Sequence, residues 1–253
     1  MNYVDSALRR EIFGWYSPRL GLDMPIVRYG HFGRALLLLP TASGDFLEAE
    51  RMWLIKSIEP LLFAGRVTVF SIDSINRYAW MNDQVGVREA ARRQALYSGY
   101  IEEEVVPHIR RVLGNPTARI GVTGASFGAF YAANAALRRP DLFDTLIAMS
   151  GFYDLGPGYL HGYGDDNVYF NNPLSYLPGI SDPGALELLR HTGIYIVAGQ
   201  GAYERPDASV RFSDALRAKG IPHQLDLWGH DVNHDWPWWR SMLPYALAER
   251  VGW

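Results

Sequence analysis

Six short apolar runs, most of them followed by a stretch with helical periodicity, constrain this chain more than any other feature. In ALLLLP (Ala35–Pro40) apolar residues fill consecutive positions, the pattern of a strand buried on both faces. RVTVFSI (Arg66–Ile72) is short and β-branched, and ARIGVTG (Ala118–Gly124), TLIAMSG (Thr145–Gly151), GIYIVAG (Gly193–Gly199) and HQLDLWG (His223–Gly229) follow. Helical patterns lie between them. FLEAERMWLIKSIEPLL (Phe46–Leu62) reads as one helix, and Val87–Leu113 as a longer one with Tyr97, Ile101, Val105 and Ile109 on one face. Pro107 inside that stretch predicts a kink or a break. Further helices are expected over Phe127–Arg139, ended by Pro140, over Ala208–Lys219, and after His234. Alternation of this kind predicts an α/β fold, a mostly parallel central sheet with helices on both faces.

With 253 residues, 48% hydrophobic and 20% charged, the chain fits a single domain with a large core. The 24 basic and 27 acidic residues form no long run of either sign, so no nucleic acid or membrane partner is expected. There is no cysteine, which excludes disulfides, thiolate metal sites and a cysteine nucleophile. The amino-terminal MNYVDSALRREIFGWY has charges every few residues, and no run approaches the ~18 apolar residues of a spanning helix. The expectation is a cytoplasmic protein. The one long irregular segment, Phe152–Pro183, is expected to be a functional loop or small cap. Asp165-Asp166-Asn167 within it reads as turn chemistry, and no metal or cofactor is expected.

In GVTGASFGAF (Gly121–Phe130) a serine stands between two glycines where a strand gives way to a helix. Gly124-Ala125-Ser126-Phe127-Gly128 is G-x-S-x-G, a pattern with steric logic. A serine on a tight strand-to-helix turn is pushed into the open, and its close neighbours must lack bulky side chains. The simpler alternative is a helix cap by Ser126. In open parallel sheets the functional end lies beyond the carboxyl ends of the strands, where Ser126 would sit.

A serine nucleophile needs a base and a carboxylate to orient that base, here expected in the order Ser, acid, His. Of the later histidines, His191 and His223 stand at strand entrances, and His161 precedes the candidate acids. His230 and His234 both follow the last run, in WGHDVNHDWPWWR. His234 is preferred, because a helix starting near Trp236-Pro237, capped by Asp235, would fix its loop; His230 is the alternative. After GIYIVAG come Glu204, the favoured acid, and Asp207, which is also placed to cap a helix; Asp226 is a third possibility. The oxyanion needs two N–H donors. Phe127 N–H is one, and Ala42, with Ser43 as second choice, is the expected other.

With these residues in place the chain resembles the α/β-hydrolase superfamily, in the putative-esterase branch of esterase D-like, feruloyl-esterase-like and mycolyltransferase-like enzymes. The resemblance runs from about Met24 to the end and is carried by GASFGAFYAANAALRRPDLFDTLIAMSGFYD, VAGQGAYE and GHDVNHDWPWWR. That branch often ends in a histidine followed by W-x-x-W, which Trp236–Trp239 after His234 match. The acid region departs from the common G-x-x-D, with Glu204 in its place. The resemblance implies a serine carboxylesterase acting on a small-molecule ester through an acyl-serine. An acyltransferase using the same residues and a non-catalytic binding protein are the alternatives. Trp228, Trp236, Trp238 and Trp239, with Tyr153, Tyr159, Tyr163 and Tyr169, are either core or an aromatic mouth to the site.

Overall fold

The computed structural model describes residues 3–253, so Met1 and Asn2 of the charged amino-terminal stretch lie outside the described residues. A hairpin of β1 (Arg10–Ser17) and β2 (Leu22–Tyr29) comes first, then β3 (Arg34–Leu39). The short helices α1 (Glu48–Arg51), α2 (Leu54–Ser57) and α3 (Glu59–Phe63) lead to β4 (Val67–Ile72). Helices α4 (Val87–Tyr100) and α5 (Val106–Leu113) precede β5 (Ile120–Ala125), α6 (Phe127–Arg138) and β6 (Phe143–Met149). The small helices α7 (Asp166–Tyr169) and α8 (Pro173–Tyr176) lead to α9 (Pro183–Arg190) and β7 (Gly193–Ala198). The chain closes with α10 (Pro206–Ala218), β8 (Gln224–Leu227) and α11 (Trp236–Tyr245).

The strands form one sheet in the order β1-β2-β4-β3-β5-β6-β7-β8. From β4 to β8 every pairing is parallel, whereas β1 pairs antiparallel with β2, and β2 with β4. The six apolar runs therefore became the parallel part, as alternation with helices requires. Along β3, Leu37 and Leu39 enter one core and Leu36 and Leu38 the other, so both faces are covered. The hairpin escaped the sequence reading because β1 is half-exposed along its length and carries no all-apolar run. Its turn closes at Gly21, with φ +67°.

Two helices differ from expectation. Phe46–Leu62 is not one helix but three short ones, because Trp53 is left-handed (φ 64°) and Pro60 can enter a helix only at its first turn. Val87–Leu113 continues through Pro107, but a wide i→i+5 turn at Ile101–Val105 shifts the hydrogen-bond ladder just before the residue that lacks an N–H. Its predicted face holds: Tyr97, Ile101, Val105 and Ile109 are all buried. The helix expected at Ala208 begins two residues earlier, at Pro206, which places Asp207 inside the first turn rather than at the cap. Among the described residues no helix is long and apolar enough to cross a membrane.

Candidate active site

Ser126 occupies φ 57°, ψ −118°, a conformation that costs an L-residue on the order of 1–3 kcal/mol. Sterics hold it there. A Cβ on Gly124 would lie 2.4 Å from the carbonyl carbon of Gly128, and one on Gly128 would lie 2.4 Å from Leu39 O and 2.8 Å from Pro40 O. Strand β5, helix α6 and the exit of β3 thus meet at backbone-to-backbone distance. Ser126 N–H donates to Met149 O at 2.9 Å, tying the turn to β6. The Ser126 hydroxyl caps no backbone N–H, so the helix-cap alternative does not account for it. Phe127 N–H is at the first position of α6, among the amides that have no intrahelical acceptor, at the positive end of the helix dipole.

Glu204 follows β7 and is buried; His234 follows β8 and is half-buried. Their loops are zipped together. Gly201 N–H donates to Val232 O at 2.8 Å, His234 N–H to Ala202 O at 3.0 Å, and Gln200 N–H to Gly229 O at 3.2 Å. Asn233 Oδ1 accepts Ala202 N–H at 2.7 Å. Glycine is required where the loops touch, since a Cβ on Gly199 would lie 2.1 Å from Val232 O and one on Gly201 2.3 Å from Asn233 Oδ1. The result brings Glu204 Oε2 to 3.5 Å from His234 Nδ1, long for a charge-assisted bond, and leaves the other ring nitrogen for a second partner.

The second carboxylate oxygen is held more tightly. Ser150 Oγ donates to Glu204 Oε1 at 2.5 Å and itself accepts Trp239 Nε1–H at 3.0 Å. Ser150 takes a left-handed conformation (φ 49°) at the end of β6. Trp239 also stands edge-on to the His234 ring, with centroids 5.1 Å apart, so one buried indole touches the imidazole and, through Ser150, the carboxylate. Among the described residues no hydrogen bond joins Ser126 to His234; such bonds commonly tighten only in the substrate complex.

The alternatives are engaged elsewhere. Asp207 is exposed and ion-paired to Arg205 and Arg211. Asp226 accepts from Tyr195 and pairs with Arg250. His230 is exposed in the turn before Asn233, and neither Glu204 nor Ser126 bonds to it. Asp235 caps α11 by accepting Trp236 N–H, as expected for a loop-fixing helix. Asp165 likewise caps α7, so the acidic triplet is turn chemistry.

A model of the family described as putative esterase matches residues 68–249, which includes Ser126, Ser150, Glu204 and His234. The chain belongs to the putative-esterase family. It is a carboxylic ester hydrolase of the serine type. No curated protein matches this esterase in sequence. Its fold is shared by a solved ferulic acid esterase at 19% identity and TM-score 0.72, covering 95% of this chain and 96% of that one. An S-formylglutathione hydrolase from Agrobacterium tumefaciens is 17% identical with TM-score 0.74, covering 100% and 99%. The fluorophosphonate-binding serine hydrolase FphF of Staphylococcus aureus is 16% identical with TM-score 0.73, covering 96% and 98%.

Several residues of the esterase's site had no signal of their own in the sequence. Ser150 and Asn233 act through partners more than 30 positions away, and only the folded loops reveal them. Trp239 was visible as an aromatic but not as a hydrogen-bond donor to Ser150. Beside Ser126, Phe127 packs against Phe152 at 5.0 Å and Tyr159 at 5.6 Å, and Tyr159 against Trp80 at 5.9 Å. The segment after β6 therefore contributes an aromatic wall next to the elbow, and burial raises the Tyr159 hydroxyl above its ordinary range.

Proposed function

We propose that this esterase cleaves a small-molecule carboxylic ester through an acyl-Ser126 intermediate. His234 takes the Ser126 proton through its Nε2 as Oγ adds to the ester carbonyl, and Glu204 holds Nδ1–H so that the imidazolium is stabilised. The oxyanion receives Phe127 N–H and Ala42 N–H. Collapse expels the alcohol with the proton from His234, and water, deprotonated by the same imidazole, releases the acid. The observation that carries this assignment is the convergence of Glu204 on Nδ1 of His234 while the strained, half-buried Ser126 lies at the same end of the sheet. Ala42 is supported by its place in the loop that leaves β3 against Gly128.

The test is reaction with a fluorophosphonate followed by peptide mapping, alongside hydrolysis of a p-nitrophenyl ester. An adduct on Ser126 that is lost in His234→Ala is expected. Ser126→Ala should lower turnover by about 10³-fold or more while circular dichroism stays unchanged. Undiminished hydrolysis by folded Ser126→Ala would sink the assignment. Preferential formation of a new ester when an alcohol is added would make the protein an acyltransferase with the same machinery.

A further inference from the structure

The loop that carries Ala42 is built around one carboxylate. Thr41 N–H donates to Glu48 Oε2 at 2.9 Å and Thr41 Oγ to Glu48 Oε1 at 2.6 Å, so both oxygens of Glu48 are engaged by a single residue of the loop. The loop then wraps the carboxylate: a Cβ on Gly44 would lie 2.1 Å from Glu48 Oε2, and Gly44 N–H turns back to Thr41 O at 3.2 Å. The amides of Thr41 and Gly44 are thus consumed inside the loop. Those of Ala42 and Ser43 have no protein acceptor among the described residues. The same loop is pinned at its start, where Leu39 O and Pro40 O press on Gly128.

Two physical consequences follow. Holding Thr41 by its N–H and side chain on Glu48, and its carbonyl by Gly44 N–H, sets the orientation of the 41–42 peptide plane, and so the direction of Ala42 N–H. The carbonyl of that peptide accepts Gly44 N–H, which polarises the plane and strengthens the opposite N–H as a donor. Burial pushes the Glu48 carboxyl above its usual range, and the bonds from Thr41 oppose this, so much of the carboxylate's solvation comes from the loop itself. No other carboxylate of α1 does this: Glu50 accepts from Tyr29 and Arg10 instead.

We propose that Glu48 is a positioning residue of the oxyanion hole, acting through Thr41 to aim Ala42 N–H at the developing negative charge. This rests on the assignment of Ala42 as the second donor. Its effect belongs to the transition state, so its loss lowers kcat and leaves KM nearly unchanged.

The experiment compares Glu48→Ala, Glu48→Gln, Thr41→Val and the control Glu50→Gln, using p-nitrophenyl butyrate hydrolysis and the Ki of a trifluoromethyl ketone that adds reversibly to Ser126. Removing one oxyanion donor typically costs about 10²–10³-fold in kcat, and misaiming it in Glu48→Ala should cost about 10–100-fold, with KM within about threefold. The ketone Ki should rise in parallel with the loss of kcat/KM. Glu48→Gln, which keeps one accepting oxygen, should recover most of the loss, and Thr41→Val should lose about three- to tenfold, as expected for one hydrogen bond. Glu50→Gln should leave kcat and Ki unchanged. Unaltered kcat and Ki in folded Glu48→Ala, or equal losses in Glu50→Gln, would overturn the inference alone. Should Glu48→Ala not fold, unchanged kcat in both Glu48→Gln and Thr41→Val would overturn it as well. A wild-type protein that neither hydrolyses esters nor binds the ketone would overturn the function on which it rests, and the inference with it.

Discussion

The proposed nucleophile and the proposed acid–base pair are held in place by different physics. At the elbow, Ser126 is confined by backbone packed so closely that Gly124 and Gly128 leave no room for a methyl group. Glu204 and His234 instead sit on two loops joined by hydrogen bonds, with Ser150, itself held by Trp239, gripping the carboxylate from behind. Steric confinement is rigid and all-or-none, whereas a hydrogen-bonded assembly can lose one member and weaken by degrees.

That contrast can be sharpened by substitution. The largest effect is expected for Glu204→Gln, which keeps the shape but removes the charge proposed to stabilise the imidazolium. Its kcat should fall by about 10³–10⁴-fold with little change in melting temperature, by analogy with the known cost of neutralising a triad acid. Retention of more than a tenth of the activity would remove Glu204 from the site. Gly124→Ala comes next. Overpacking against the Gly128 backbone should destabilise the fold by about 1–3 kcal/mol, measured by urea unfolding, and abolish fluorophosphonate labelling as the elbow shifts. Normal labelling in that variant would show that the turn is not sterically determined. Asn233→Ala, which removes one bond between the acid and base loops, should cost only about 1 kcal/mol and a few-fold in kcat. A loss as large as that of Glu204→Gln would mean that the zipped loops behave as one unit.

The smallest effect lies far from the site. His108 is wedged between Phe13 and Trp15, its Nε2 buried without a partner, and burial, aided by Arg111, lowers its pKa from the ordinary 6.5. The folded state therefore resists taking up a proton that the unfolded chain accepts. Stability contributed by neutral His108 is complete above about pH 6.5 and is lost as pH falls below it. In His108→Phe the melting temperature should decline less between pH 7 and pH 5 than in the wild type. An unchanged acid limb would show that His108 does not contribute to it.

The same contrast explains what could be read from the sequence. Ser126 was legible because its requirement is local: small residues two places on either side, a strand before and a helix after. The parallel strands were legible because burial on both faces demands uninterrupted apolar runs. Glu204 could be preferred over Asp207 only by its position after β7, since the features that distinguish it, Ser150, the Val232 and His234 backbone and the Asn233 side chain, lie in other loops. Trp53 and Pro60 broke a helix whose apolar spacing was sound, because periodicity reports which side faces the core and not whether the backbone is continuous. The β1–β2 hairpin was missed for the opposite reason, its one-sided burial diluting the apolar signal.

The segment after β6 has one further consequence. Asn171 Oδ1 and its carbonyl accept from Ser98, Asn134 and Gln94, and Tyr176 donates to Asn134, so its middle is fastened to α4 and α6 by a few polar contacts. It supplies Phe152 and Tyr159 to the wall beside the elbow, yet none of the groups proposed to move protons or bind the oxyanion. The proposed reacting groups and this aromatic wall are therefore carried by separate stretches of chain. A change confined to Phe152 or Tyr159 would reshape that wall and leave Ser126, Glu204 and His234 untouched.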